Sequence, residues 1–271
     1  MIKDIKCIIT SGCSFSAWDN RETWPHHLSN ILPHAEFKFL GMCSSGNELI
    51  QKKATLALHE ALQTYKPEEI LVLPMWSGLD RKTFFISNEY EIRRMVRTWE
   101  KTNHWWHVQF ADLKNELIDK KTTFVNGTEK IDYNLSGGWY SFHDGNVQDG
   151  TALSGAYSQS NLTFTSGTHI GLENMVMLQE VCKNKGVKIF HQFFMDSVLD
   201  GIEAEKEHQI ITYLYEQLDR DLIVCKSEHG FLERSKEVNL FIDDSHPNNE
   251  GHLLYTEQVL WPFLKKKLDM V

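Results

Sequence analysis

The stretch "IITSGCSFSAW", residues 8–18, sets the fold class of this sequence. An apolar run beginning at Ile8 is followed directly by glycine, cysteine and serines, which favour a tight turn. This change is typical of a buried strand that ends at the carboxyl edge of a parallel sheet, where α/β folds place their chemistry. The stretch predicts a first strand over 6–10 with Ser14 just beyond its end. A simple turn without chemistry is the alternative.

Strand and helix patterns alternate outward from this stretch. The segment 70–76, ILVLPMW, is a continuous apolar run, as expected of a strand buried on both faces. Strands separated by single helices require parallel pairing with right-handed crossovers, which predicts a three-layer α/β/α sandwich with a mainly parallel sheet. The predicted strands are 6–10, 36–40, 70–76, 187–195 and 222–225, and the predicted helices are 24–32, 48–64, 169–184, 204–218 and 249–268.

The alternation is interrupted between residues 82 and 168, which are rich in aromatic residues, Gly, Ser and Asn. Helical spacing predicts helices at 90–99 and 106–118. Because the αβ alternation resumes afterwards, we expect one domain over 1–271 that carries 82–168 as an insertion or cap. Its tryptophans, among them Trp105 and Trp106, fit either the packing of the insertion itself or a platform for sugar rings or acyl chains.

Composition excludes several classes of function. The formal charge of −9 argues against nucleic acid, since phosphate binding requires clustered Lys and Arg. No apolar stretch approaches the roughly 20 residues that cross a bilayer, and no signal peptide is evident, so we expect a cytoplasmic protein without a membrane partner. The five cysteines include no CxxC pair, and the 13 histidines lack zinc spacing. No Walker lysine or GxGxxG pattern occurs either, so neither a metal nor a cofactor is expected.

Four small-residue or polar stretches coincide with predicted strand ends or precede the final helix. They contain Gly12-Cys13-Ser14, Ser45-Gly46-Asn47, Ser77-Gly78 and Asp243-Asp-Ser-His246-Pro247. Together they supply what nucleophilic acyl transfer needs: a hydroxyl, an Asp and His pair, and small residues that expose backbone N–H groups. Taken alone, the last stretch would be a capped turn before a helix.

In order and content, these stretches resemble the blocks of the SGNH (GDSL-like) hydrolase superfamily. The resemblance covers both ends of the chain and implies a flavodoxin-like SGNH hydrolase fold with serine esterase or acylhydrolase activity. It implies Ser14 as the nucleophile, His246 as its base and Asp243 as the carboxylate that orients the imidazole. The backbone N–H groups of Ser14 and Gly46 would form the oxyanion hole.

Two residues depart from the family pattern. Cys13 stands where the family usually has Asp, and is itself a less favoured alternative nucleophile. Ser77 stands where the third block normally offers an Asn to the oxyanion. The missing donor is then either the Ser77 hydroxyl or the Asn47 side chain.

The expected partner is a small-molecule or glycan ester, with an acetylated carbohydrate preferred because it would use the aromatic insertion. The candidate substrate contacts are Arg81, Trp76, Trp105 and Trp106, with Arg81 suited to a substrate carboxylate. Two alternatives stay open: a catalytically degenerate binding protein of this fold, and an O-acyltransferase that uses the same acyl-enzyme. The sequence leaves the oligomeric state undetermined.

Overall fold

The fold is described from a computed structural model of the chain. The described residues are 2–17, 22–42, 45–79, 81–86, 107–110, 122–124, 138–142, 164–194, 197–224 and 246–269. Its strands are β1 (Cys7–Gly12), β2 (Glu36–Phe39), β3 (Ile70–Trp76), β4 (Lys82–Ile86), β5 (His107–Phe110), β6 (Thr122–Phe124), β7 (Gly138–Phe142), β8 (Lys188–Ile189) and β9 (Gln192–Phe193). Its α-helices are α1 (Trp24–Ile31), α2 (Asn47–Ala61), α3 (Phe164–Lys185), α4 (Ser197–Ala204), α5 (Gln209–Gln217), α6 (Asn249–Tyr255) and α7 (Trp261–Asp269).

A parallel sheet forms the centre of the fold, in the order β2-β1-β3-β8, with β9 also paired to β3. All pairings within it are parallel, and the register sets Cys7 beside Glu36 on one side and Ile70 on the other. Outside the named strands, a single parallel bridge pairs His191 with Ile223. The predicted α/β fold with a mainly parallel sheet is confirmed.

Burial follows the position of each strand in the sheet. Every residue of β1 and β3 is buried, whereas the edge strand β2 is partly exposed. Helices cover both faces: α2 packs on β1 and β3 with α3 and α5 beside it, while α1 packs against α6. Fully burying each Ile, Leu or Val of the central strands contributes roughly 1.5–3 kcal/mol, so these two strands anchor the core.

The region predicted as an insertion contributes a second, antiparallel sheet in the order β4-β7-β5-β6. The prediction of a helix at 106–118 is wrong at its N-terminal end. There the chain forms β5, which pairs with β6 on one side and with β7 on the other. The helix expected at 90–99 lies outside the described residues. The division into one domain with an insertion stays a prediction.

The C-terminal half keeps the predicted order of elements with altered bounds. The strand expected at 187–195 is divided into β8 and β9, and the helix expected at 204–218 is replaced by α4 and α5, with a turn over 205–208 between them. The final helix contains a π-helical segment, Thr256–Leu260, between α6 and α7. In the described part of the chain, no helix is both long and apolar enough for a bilayer.

Candidate active site

The order of the parallel strands creates a crevice at one edge of the sheet. The strands all run in the same direction, but the order in which the chain adds them reverses at β1: β2 is added on one side of β1 and β3 on the other. In open α/β sheets, ligands bind beyond the carboxyl ends of the strands at such a switch point. Ser14 follows β1 and Ser77 follows β3, so the two residues lie at this edge.

A tight turn places Ser14 directly after β1. The backbone N–H groups of Ser16 and Ala17 both donate to the carbonyl of Cys13, at 2.9 and 3.2 Å, which bends the chain back over Ser14. Gly12 is required here, since a Cβ at this position would lie 2.1 Å from Ser16 Oγ and 3.1 Å from the Met75 carbonyl oxygen. Ser14 itself is 6% exposed.

The loop after β2 packs closely on this turn. The Met42 N–H donates to the Gly12 carbonyl at 3.0 Å, and a Cβ on Gly41 would approach the Ser16 carbonyl oxygen to 2.5 Å. A glycine at position 41 is therefore a steric requirement for bringing the two loops together. The same loop leads into α2, with Gly46 as the N-cap residue.

Trp24, at the start of α1, fixes the far side of the Ser14 turn. Its indole N–H donates to Ser16 Oγ at 3.0 Å, and the Thr23 hydroxyl donates to the Ser16 carbonyl at 3.1 Å. Trp24 has no exposed surface, so these bonds lie in the protein interior. The turn is consequently held from three sides: by β3, by the loop after β2 and by α1.

His246 is positioned by helix α6. Pro247 is buried, and the Asn248 side chain caps the helix by accepting from the Gly251 N–H at 2.9 Å. His252 Nδ1 in turn accepts from the Trp24 N–H at 3.3 Å. Because Trp24 also binds Ser16, one residue connects the turn that carries Ser14 to the helix that follows His246.

Ser14 and His246 meet in this crevice although 232 positions separate them in the sequence. Ser14 Oγ lies 2.7 Å from His246 Nε2, which is hydrogen-bonding distance. The Phe15 ring packs beside the imidazole with centroids 4.9 Å apart, and the Phe194 ring lies 5.0 Å from that of Phe15. The imidazole is thus in contact with the serine and is supported by an aromatic ring.

Asn47, the first residue of α2, bridges to the end of β3. Its Oδ1 accepts from the Ser77 N–H at 2.8 Å, and its Nδ2 donates to the Ser77 carbonyl at 3.3 Å. The Ser77 N–H is therefore already satisfied, while the Ser77 hydroxyl is buried and has no hydrogen-bond partner among the described residues. Nδ2 carries a second hydrogen, which gives Asn47 one further donor at this edge of the sheet.

Trp76 is a core residue rather than a substrate contact, which corrects the expectation from the sequence. Its side chain has no exposed surface, and its indole N–H donates to His191 Nδ1 at 2.9 Å. Burial lowers the pKa of His191 to about 3, so this imidazole is neutral and can accept. A side chain enclosed in this way cannot reach a ligand.

The remaining predicted residues divide into two groups. Arg81 is half-buried just after β3, with its guanidinium carbon 6.0 Å from the centroid of the Phe194 ring. Asp243, Trp105 and Trp106 lie outside the described residues, so their roles stay predictions. Within the described part of the chain, no three His, Cys, Asp or Glu side chains are grouped to hold a metal ion.

The supporting residues were not predicted as part of the site. Ser16, Trp24 and His252 connect its two halves through buried hydrogen bonds. The sequence carries no local signal for a bond between residues 228 positions apart.

The fold and this crevice define a doubly wound α/β protein with a serine–histidine pair at its switch point. No protein-family model and no curated protein sequence matches the chain.

Two solved structures resemble the chain. A member of the lipolytic protein G-D-S-L family from Veillonella parvula is 10% identical with a TM-score of 0.43, over 98% of this chain and 100% of that one. The YXIM protein of Bacillus subtilis is 10% identical with a TM-score of 0.46, over 97% of this chain and 57% of that one. Such values carry no inference about activity, and the fold class rests on the chain's own sheet topology.

Proposed function

We propose that this protein is a serine-dependent ester hydrolase of the SGNH type. The observation that supports the proposal is the 2.7 Å distance between Ser14 Oγ and His246 Nε2 at the carboxyl edge of the sheet. A serine hydroxyl is a weak nucleophile, and a neutral imidazole within hydrogen-bonding distance is the base that activates it. The Ser14 hydroxyl then donates to Nε2.

The proposed reaction proceeds through an acyl-enzyme. Ser14 Oγ attacks the acyl carbon while its proton passes to His246, and the resulting tetrahedral oxyanion collapses with transfer of that proton to the leaving alcohol. Water, deprotonated by His246, then attacks the acyl carbon and releases Ser14 and a carboxylic acid. In this proposal Asp243 orients the imidazole and stabilises its charged form.

The oxyanion needs donors that are fixed before the reaction begins. The backbone N–H groups of Ser14 and Gly46 are the donors that the SGNH resemblance implies. We assign the third to the amide of Asn47 rather than to Ser77. Two contacts with the Ser77 backbone fix the direction of the Asn47 amide, whereas the Ser77 hydroxyl has no hydrogen-bond partner among the described residues that would fix its own.

An acetylated carbohydrate is the proposed substrate class, with Trp105 and Trp106 as proposed stacking surfaces. A binding protein without turnover is the second candidate, and the replacement of the third-block Asn by a buried Ser77 favours it. Acyl transfer to an acceptor sugar would use the same acyl-enzyme. Product analysis with and without an acceptor distinguishes transfer from hydrolysis.

Turnover of p-nitrophenyl acetate by the full chain tests the proposal. Ser14→Ala should lower kcat by about 10⁴-fold or more, because it removes the nucleophile. Ser29→Ala is the matched control: Ser29 lies on α1, and its hydroxyl donates to the His26 carbonyl of the same helix. Equal turnover by the Ser14→Ala variant and the parent would refute the assignment.

A further inference from the structure

Arg81 stands beside the proposed active site without a role in the reaction. It follows the turn after β3, in which its N–H donates to the Gly78 carbonyl at 3.2 Å. Its guanidinium faces the Phe194 ring, Phe194 packs on Phe15, and Phe15 packs on the imidazole of His246. Two aromatic rings therefore separate this cation from the proposed base.

Among the described residues, one nitrogen of the Arg81 guanidinium has no hydrogen-bond partner. Nη1 is buried and makes no hydrogen bond, and no carboxylate among the described residues forms an ion pair with Arg81. A buried donor left unsatisfied costs about 1–3 kcal/mol, and more when it is charged. The chain has 37 acidic residues against 28 basic ones, so carboxylates are plentiful elsewhere in it. Nη1 itself is enclosed, but Arg81 as a residue is only half-buried, so a carboxylate can approach the accessible part of the side chain.

We infer that Arg81 binds a carboxylate of the substrate, so that the protein acts on O-acyl esters of acidic molecules. This inference rests on the proposed function and names the substrate class of the same site. The planar guanidinium matches a carboxylate in a bidentate arrangement. In the described part of the chain, Arg81 is the one cation that contacts Phe194. A single positive charge suits a singly charged carboxylate better than a phosphate. Arg81 is only half-buried and so retains surface for a ligand.

A pair of ligands that differ by one charge tests the inference without requiring turnover. The full chain is titrated calorimetrically with 4-acetamidobenzoate and with its neutral methyl ester, both of which carry an amide in place of the scissile ester. The parent should bind the carboxylate at least tenfold more tightly. Arg81→Gln should remove that preference and leave the affinity for the methyl ester within about twofold.

The matching esters extend the test to catalysis. Arg81→Gln should raise KM for 4-acetoxybenzoate by about 10- to 100-fold, so that the variant no longer prefers 4-acetoxybenzoate over methyl 4-acetoxybenzoate. Arg81→Lys should be intermediate, because an ammonium keeps the charge but loses the planar pair of donors. Arg220→Gln is the matched control, since Arg220 also lies over an aromatic ring, 4.3 Å from the centroid of Tyr215.

The outcomes separate this inference from the proposed function. Hydrolysis that depends on Ser14 but shows no preference for the carboxylate would overturn the role of Arg81 alone. Binding that selects the carboxylate through Arg81, with no hydrolysis of either ester, would support the Arg81 site and refute the hydrolase. Equal affinity of the parent for both titrated ligands, or no binding of either, would overturn the inference. If Arg81→Gln fails to fold, Arg81→Lys and the salt dependence of binding replace it, and insensitivity to both counts against the role of Arg81.

Discussion

Replacing Asn47 separates its support of the fold from its proposed part in the reaction. Asn47 is 2% exposed and makes two hydrogen bonds with the Ser77 backbone, at 2.8 and 3.3 Å. Asn47→Ala leaves a buried N–H and a buried C=O without a partner, each costing about 1–3 kcal/mol. We expect a loss of about 2–4 kcal/mol in the free energy of unfolding. For a chain of this size, that loss lowers Tm by roughly 5–15 °C.

The effect on catalysis is measured at a temperature where the variant remains folded. There we expect Asn47→Ala to lower kcat for p-nitrophenyl acetate by about 10²-fold, the usual cost of losing one oxyanion donor. Asn47→Asp should lower kcat further, because a carboxylate repels the developing oxyanion. Gln51→Ala is the control: Gln51 is a buried amide one turn further along α2 that donates to Thr55 Oγ1, and its loss should leave kcat unchanged. Full kcat in folded Asn47→Ala would refute the assignment of the third donor.

Two further predictions concern a buried lysine of α2 and the glycine that ends β1. Burial lowers the pKa of Lys53 to about 7, from its usual value of 10.5. Between these two pH values the unfolded chain binds one more proton than the folded chain. The free energy of unfolding therefore rises with pH in this range, by at most about 1.4 kcal/mol per pH unit. In chemical denaturation at pH 7, Lys53→Met should be more stable than the parent, and its free energy of unfolding should lack this rise with pH. Lys52→Met, at the exposed neighbouring position, should keep the rise. A parent chain whose free energy of unfolding does not rise with pH would contradict the prediction. Gly12→Ala should displace Ser16 and abolish turnover, whereas Gly186→Ala, strained at φ +71° outside the site, should only lower Tm. An active Gly12→Ala variant would show that the turn tolerates a Cβ.

The elements predicted best are those whose residue pattern is compatible with only one position in the fold. The run 70–76 was predicted and observed with the same bounds, because a continuous apolar strand fits only a position buried on both faces. The proximity of Ser14 and His246 was expected from the resemblance of their stretches to SGNH blocks, and Ser14 Oγ lies 2.7 Å from His246 Nε2. The first of these predictions rests on a local pattern and the second on the order of motifs along the chain.

The elements predicted poorly depend on contacts between distant residues. The strand expected at 187–195 is divided into two short segments, and His191 between them bridges to Ile223 on the side away from β3, with its N–H donating to the Leu222 carbonyl. The stretch at 205–208 has helical propensity but forms a turn, as tertiary structure can override propensity. Trp76 is a candidate substrate contact from the sequence because it ends β3 at the edge of the sheet, but its indole N–H is bonded to His191, a partner 115 positions away. None of these three effects is visible within a short window of sequence.

Labelling with a fluorophosphonate tests the central claim most directly, since this reagent reacts only with an activated serine. The account predicts covalent labelling of the full chain at the peptide containing Ser14, identified by mass spectrometry, with loss of labelling in Ser14→Ala and strong reduction in His246→Ala. An unlabelled parent chain, or equal labelling of the parent and Ser14→Ala, would contradict it.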